Sequence, residues 1–390
     1  MRSMSRRTIV ESSGLSRRIL LTLNGFPQRI VVDGMNANNP IVLLLHGGPG
    51  TPFPFNEGCR GLRPEWSRSL TMVYWDQLGC GINNTTIDES FSIDTFTRMA
   101  IELIEQLRSR FPGRKVLVAA LSWGSILSAR IAARRPDLID GVVAYGQVVR
   151  DVESSDALFS ALLSGRAPHT VKRRVEGMRD VHSRTVADMR VMSYYAARYT
   201  TAYYHPRGSG FDFVSTVLGM LSSPDYRMRD VLAIMRNGYD SNSSLLKEMM
   251  TIDLSEDLRH VGVPYAVLQG EGDLVTDTGL MRDLARACHN PLLGCTVLDD
   301  ESHMPDVRAM TAIRRELISS SRRPLTAAGH AGHQGVGNAG TPMRPAPCAT
   351  DLRGACGHGA SRALPVGSAD VRGRAAVPGR DESSGRQAAR

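Results

Sequence analysis

Residues Val116–Leu121, VLVAAL, run without a polar interruption into Ser122, and Trp123-Gly124-Ser125-Ile126 then opens a segment rich in small residues. Six continuous apolar residues suit a strand covered on both faces, as in a parallel sheet. The small-residue segment has a helical pattern and follows with no loop between. A serine at such a junction has two readings. It can cap the helix, its oxygen accepting from an orphan N–H of the first turn. It can also sit on a sharp strand-to-helix turn that exposes a nucleophilic hydroxyl. The rest of the chain has to separate them.

Strand and helix patterns alternate from about residue 41 to residue 149. PIVLLLHGG and LTMVYWDQ are buried-strand runs, and Ile93, Phe96, Met99, Ala100, Leu103, Ile104 and Leu107 keep a helical period between Ser92 and Arg110. A further strand follows at IDGVVAYGQVV. This alternation predicts an α/β fold built on a doubly wound, mostly parallel sheet. From about 150 to 254 the strand signals stop, helical windows take over, and eight of the seventeen methionines occur. That stretch reads as a helical cap inserted in the domain. Strand patterns return over 255–320, at VPYAVLQGEGD and GCTVLDDESH. The core is therefore expected in two parts, 19–149 and 255–320.

The net charge of +8 resides at the two ends. Residues 1–18 carry five arginines against one glutamate, and residues 321–390 carry ten arginines against four acids, so the middle is close to neutral. Basic ends are expected to be flexible and solvated, and no nucleic-acid partner follows from them. Ala, Gly, Arg and Pro supply 42 of the last 70 residues. The 321–390 tail is expected to be disordered, because so little apolar surface cannot offset its ordering entropy. No apolar run is long enough for a membrane span. Six cysteines without metal-ligand spacing are expected as free thiols, and the chain is expected in the cytoplasm.

A serine nucleophile needs a base, an acid that orients the base, and N–H donors for the developing oxyanion. Asp273 follows the apolar run of VPYAVLQGEGD, with Asp277 as a rival four residues on. His303 lies in the loop after GCTVLDD, where Asp299 or Asp300 could reach it locally. The order Ser122, Asp273, His303 is that of a catalytic triad, each member at a strand end. LLLHGGPG (43–50) ends a strand in a glycine loop that can aim a backbone N–H at the serine. Gly48 and Trp123 are the expected oxyanion donors. His46 is expected to shape that loop and not to act as base.

His46-Gly47-Gly48-Pro49-Gly50, YWDQLGCG (74–81) and Ser122-Trp123-Gly124-Ser125, with Asp273 and His303, resemble the proline iminopeptidase branch of the α/β-hydrolases over roughly residues 28–318. The resemblance implies that Ser122 attacks an acyl carbon, His303 relays its proton and Asp273 orients His303. It implies no metal and no organic cofactor. This chain departs from the branch at three places. Leu78 stands where the motif has arginine, Ala120 replaces the first glycine of the serine motif, and no cap glutamate lies beside a tryptophan. Glu153, Glu176 and Glu248 are in the cap but match no amine-binding motif.

In the cap, Tyr195, Tyr199 and Tyr203 are spaced to share one helical face. They can pack on the core or line a pocket whose methionines give an adaptable wall. The expected partner is a small-molecule or short-peptide substrate: an ester, amide, lactone or N-terminal amino-acid amide. Without a tryptophan-linked glutamate, neutral aryl esters are expected to outrun amides that carry a free amine. Acyl transfer or ring closure on the same triad is a second enzymatic reading. A ligand-binding protein on a disused hydrolase fold is a third.

Overall fold

The computed structural model describes residue 10 and residues 14–324, apart from 57–59, 62, 209–212, 237, 238, 240 and 241. The expected disordered tail lies almost wholly outside the described residues. Among the described residues, eight strands form one sheet in the order β1-β2-β4-β3-β5-β6-β7-β8. These are β1 (Leu15–Leu23), β2 (Phe26–Gly34), β3 (Ile41–Leu45), β4 (Thr71–Tyr74), β5 (Val116–Leu121), β6 (Gly141–Tyr145), β7 (Tyr265–Gly270) and β8 (Leu293–Leu298). All pairs from β4 to β8 are parallel, whereas β1–β2 and β2–β4 are antiparallel.

Covering both faces of the sheet explains the unbroken apolar runs. Along β3, Ile41, Leu43 and Leu45 join one core while Val42 and Leu44 join the other. Along β5, Val116, Val118 and Ala120 face the first core while Leu117, Ala119 and Leu121 face the second. Alternation is present, but both sides are apolar.

The first core is closed by α1 (Ile93–Arg110) and α2 (Trp123–Arg134), through Phe96, Leu103, Ile126 and Leu127 among others. Helix α1 starts where the sequence predicts, at Ser92, whose side chain accepts from Thr95 N while Thr95 closes the reciprocal bond. The segment between β6 and β7 contributes, among the described residues, α3 (Asp156–Ser164), α4 (His169–Gly177), α5 (Val186–Tyr199), α6 (Phe213–Leu221), α7 (Met228–Arg236) and α8 (Ser243–Thr251). Its packing divides. Helices α3, α4, α5 and α8 join the first core, whereas Met220 of α6 and Val231 and Ile234 of α7 join the second. Helices α9 (Thr278–Ala287) and α10 (Val307–Arg322) complete the two layers. Strand β1 begins at Leu15, inside the stretch expected to be flexible, and α10 runs two residues past the expected end of the core at 320.

Candidate active site

Ser122 does not cap α2. Its side chain accepts nothing from the first turn, and its backbone takes φ 50° and ψ −117°, a conformation that strains a residue with a Cβ. Hydrogen bonds hold the turn, among them Ser125 N to Ser122 O at 2.7 Å. Ser122 N donates to Tyr145 O at 3.0 Å on the neighbouring strand, and Ser125 Oγ donates to Ser122 O at 2.6 Å. Gly124 is required because a Cβ there would lie 2.2 Å from Leu45 O. Ala120, the departure from the resembled motif, pairs with Leu45 inside the sheet and is fully buried.

The freed hydroxyl meets the predicted base. Ser122 Oγ lies 2.9 Å from His303 Nε2, and His303 Nδ1 lies 2.9 Å from Asp273 Oδ2. A carboxylate only accepts, so Nδ1 carries the proton and Nε2 accepts from the serine. Gly146 leaves space for the imidazole, since a Cβ there would be 3.1 Å from His303 Cε1. Asp273 is fully buried and held from all sides. Oδ1 accepts from Val275 N and Thr276 N, while Oδ2 accepts from Thr276 Oγ at 2.8 Å and Gln269 Nε2 at 3.3 Å. Asp277 serves another purpose, capping α9 through Gly279 N and Leu280 N. Asp300 pairs with Arg207 at 2.8 Å and does not reach the imidazole.

Ser122 and His303 lie on the wall of a cavity of about 470 Å³ together with Gly47, Gly48 and Trp123. The glycine loop is tied to the serine turn by a buried relay. His46 Nε2 accepts from Gln77 N at 3.0 Å, and Gln77 Oε1 accepts from Trp123 Nε1 at 2.8 Å. Burial lowers the His46 pKa to about 4, so the ring is neutral and acts as a spacer. At the position of the missing arginine, Leu78 is fully buried in the first core. An apolar side chain there needs no buried counter-charge.

The three tyrosines do not act together. Helix α5 ends at Tyr199, because Thr200 turns extended (φ −132°, ψ −178°) and breaks the four-residue period. Tyr195 and Tyr199 are half-buried against the first core with ring centres 6.1 Å apart, and the cavity wall includes neither. Of the two readings, Tyr195 and Tyr199 follow packing on the core, and the tentative pocket role does not extend to them. Tyr203, past the helix end, does line the cavity.

Sequence reasoning missed Glu153. It lies on the cavity wall, 5% exposed, and accepts from Ser193 Oγ at 2.6 Å and from Tyr203 Oη. Burial raises its pKa above the ordinary carboxyl value. Apolar neighbours include Val148, Val152, Met189, Leu246, Met249, Met250 and Val275. Beside the cavity, Glu301 is pushed up to about 8, first by burial and then by the adjoining Asp306. Among the described residues, His205, Glu271 and Asp300 bring ligand-capable atoms within 4.8 Å of one another, but Arg207 already neutralises Asp300.

A mostly parallel sheet with a strained serine turn and a Ser-His-Asp relay at its strand ends defines a class, and the family comparison agrees. The chain belongs to the alpha/beta hydrolase family, whose model matches residues 42–316. Among individual proteins, it is 22% identical over 314 residues to the probable aminopeptidase YbaC of Bacillus subtilis, covering 78% of this chain and 96% of that one. It is 28% identical over 188 residues to the proline iminopeptidase of Lactiplantibacillus plantarum, covering 47% of this chain and 59% of that one. The crystal structure of proline iminopeptidase from Mycobacterium smegmatis has the same fold, with a TM-score of 0.54 at 17% identity, covering 78% and 97% of the two chains.

Proposed function

We propose that this hydrolase cleaves N-terminal amino-acid amides or esters through an acyl-enzyme on Ser122. The observation that carries the reading is the relay from Ser122 Oγ through His303 to buried Asp273, with both links at 2.9 Å. In the proposed reaction, Oγ attacks the acyl carbon as its proton passes to His303 Nε2. The imidazolium is stabilised by Asp273. The backbone N–H groups of Gly48 and Trp123 receive the oxyanion. His303 then gives its proton to the departing amine or alcohol, and water releases the acyl group by the same steps in reverse.

Glu153 supports the choice of a substrate with a free amine. Burying an ammonium without a carboxylate partner costs several kcal/mol. Each Glu153 oxygen already accepts one hydroxyl and keeps capacity for another donor. The expectation that neutral esters are preferred rested on the lack of a tryptophan-linked glutamate and on the cap's tyrosines and methionines; the place of Glu153 on the cavity wall supports the amine reading instead. Small aminoacyl p-nitroanilides should therefore be cleaved with a kcat/KM at least ~10-fold above their N-acetylated counterparts, the order expected of one charge-assisted contact. Glu153→Gln should erase most of that ratio. An acetylated substrate cleaved equally well by the wild-type enzyme would overturn the amine assignment.

A further inference from the structure

Glu153, Tyr203 and the loop of His303 form a closed circuit across the cavity. Glu153 N donates to Val275 O at 2.9 Å, and Val275 N donates to Asp273 Oδ1 at 2.9 Å. Asp273 holds His303, and His303 N and Met304 N donate to Ala202 O and Tyr203 O, each at 3.1 Å. The Tyr203 ring stands edge-to-face with the imidazole, centres 5.8 Å apart at 83°. Tyr203 Oη returns to Glu153, whose other oxygen accepts from Ser193 of α5. Glu153 takes φ 49°, a strained backbone value for a side chain of its size, and is held there by these contacts.

Asp273 restrains the imidazole through one nitrogen only, so the ring can still tilt about that bond. The Tyr203 ring packs against the imidazole nearly at right angles and limits that tilt. We infer that Tyr203 is a positioning residue that fixes the His303 imidazole toward Ser122, anchored for that task by the Glu153 carboxylate. This rests on His303 being the base of the proposed reaction. Helical-cap and core chemistry are thereby coupled at one side chain, and a shift of the Ala202–Tyr203 segment would misalign the base.

The test uses the full chain and a fluorophosphonate probe, which reports on Ser122 without knowledge of the substrate. Tyr203→Phe keeps the ring but loses the anchor, and Tyr203→Leu loses both. The second-order labelling rate should fall roughly 10-fold in Tyr203→Phe and roughly 10²-fold in Tyr203→Leu, the scale of a misplaced reacting group. In the wild-type enzyme the downfield proton NMR resonance of His303 Nδ1–H should be sharp. It should broaden in Tyr203→Phe and vanish in Tyr203→Leu. A merely structural tyrosine would alter melting and leave that resonance alone. Wild-type rates and an unaltered resonance in Tyr203→Phe and Tyr203→Leu would overturn the inference, and if Tyr203→Leu fails to fold, Tyr203→Phe alone decides. Failure of the wild-type chain to react at Ser122 would instead overturn the proposed reaction, and the resonance would still decide the role of Tyr203.

Discussion

Asp273 and Asp277 stand four residues apart, yet one faces an imidazole and the other caps a helix. Asp273→Asn would present an amide N–H or a weak acceptor to His303 Nδ1 and favour the wrong tautomer. A loss of roughly 10⁴-fold in kcat is expected, the scale of that substitution in a serine triad. Asp277→Asn keeps a good capping residue and should leave kcat within ~2-fold, since asparagine caps about as well as aspartate. Steady-state rates of the two variants check the assignment. That Ser122, Asp273 and His303 meet was legible because each lies at or within five residues of a strand end, so chain order brings them to one edge of the sheet. Glu153 was not legible. Its place on the cavity wall depends on how the chain leaves β6, and no local pattern in QVVRDVESSD marks a carboxylate as pocket-facing.

The hairpin of β1 and β2 also escaped the sequence reading, although its signal was present. Asn24-Gly25 joins paired residues Leu23 and Phe26, and both turn residues have positive φ (48° and 82°). Asparagine-glycine favours that two-residue turn. At the other end of the domain, the junction between β8 and α10 places Glu301 beside the helix cap Asp306. The Glu301 pKa is about 8 against an ordinary 4.5. Between those values the folded chain retains a proton that the unfolded chain has released, so this group's contribution to stability falls as pH rises and levels off above about 8. Glu301→Gln should flatten the decline of melting temperature over that pH window. Parallel slopes for the variant and the wild-type protein would show that Glu301 does not titrate there.

Long-range ties connect parts of the molecule that the sequence places far apart. Asp225, between α6 and α7, is buried against Arg60 Nη2 at 2.7 Å and Arg18 Nε at 2.8 Å, and Arg60 also donates to Ser16 Oγ at 3.0 Å. One carboxylate thus joins β1, the segment before β4 and the insertion. Asp225→Asn would remove a buried negative charge shared by Arg60 and Arg18, and a loss of roughly 3 kcal/mol is expected in denaturant unfolding. A change below ~1 kcal/mol would mean that the pair only offsets its own desolvation. No composition or periodicity signals this contact, because it joins residues more than 160 positions apart.

In the proposed reaction Ser122 Oγ carries the acyl group. The most direct check is intact-mass and peptide mass spectrometry of the full chain quenched in acid during turnover of a slowly deacylating aminoacyl ester. A mass gain of one aminoacyl group confined to Ser122 is expected, absent from Ser122→Ala, which should also lose at least ~10³-fold of the activity. Turnover at an undiminished rate by Ser122→Ala, or an acyl adduct on another residue, would contradict the proposed reaction.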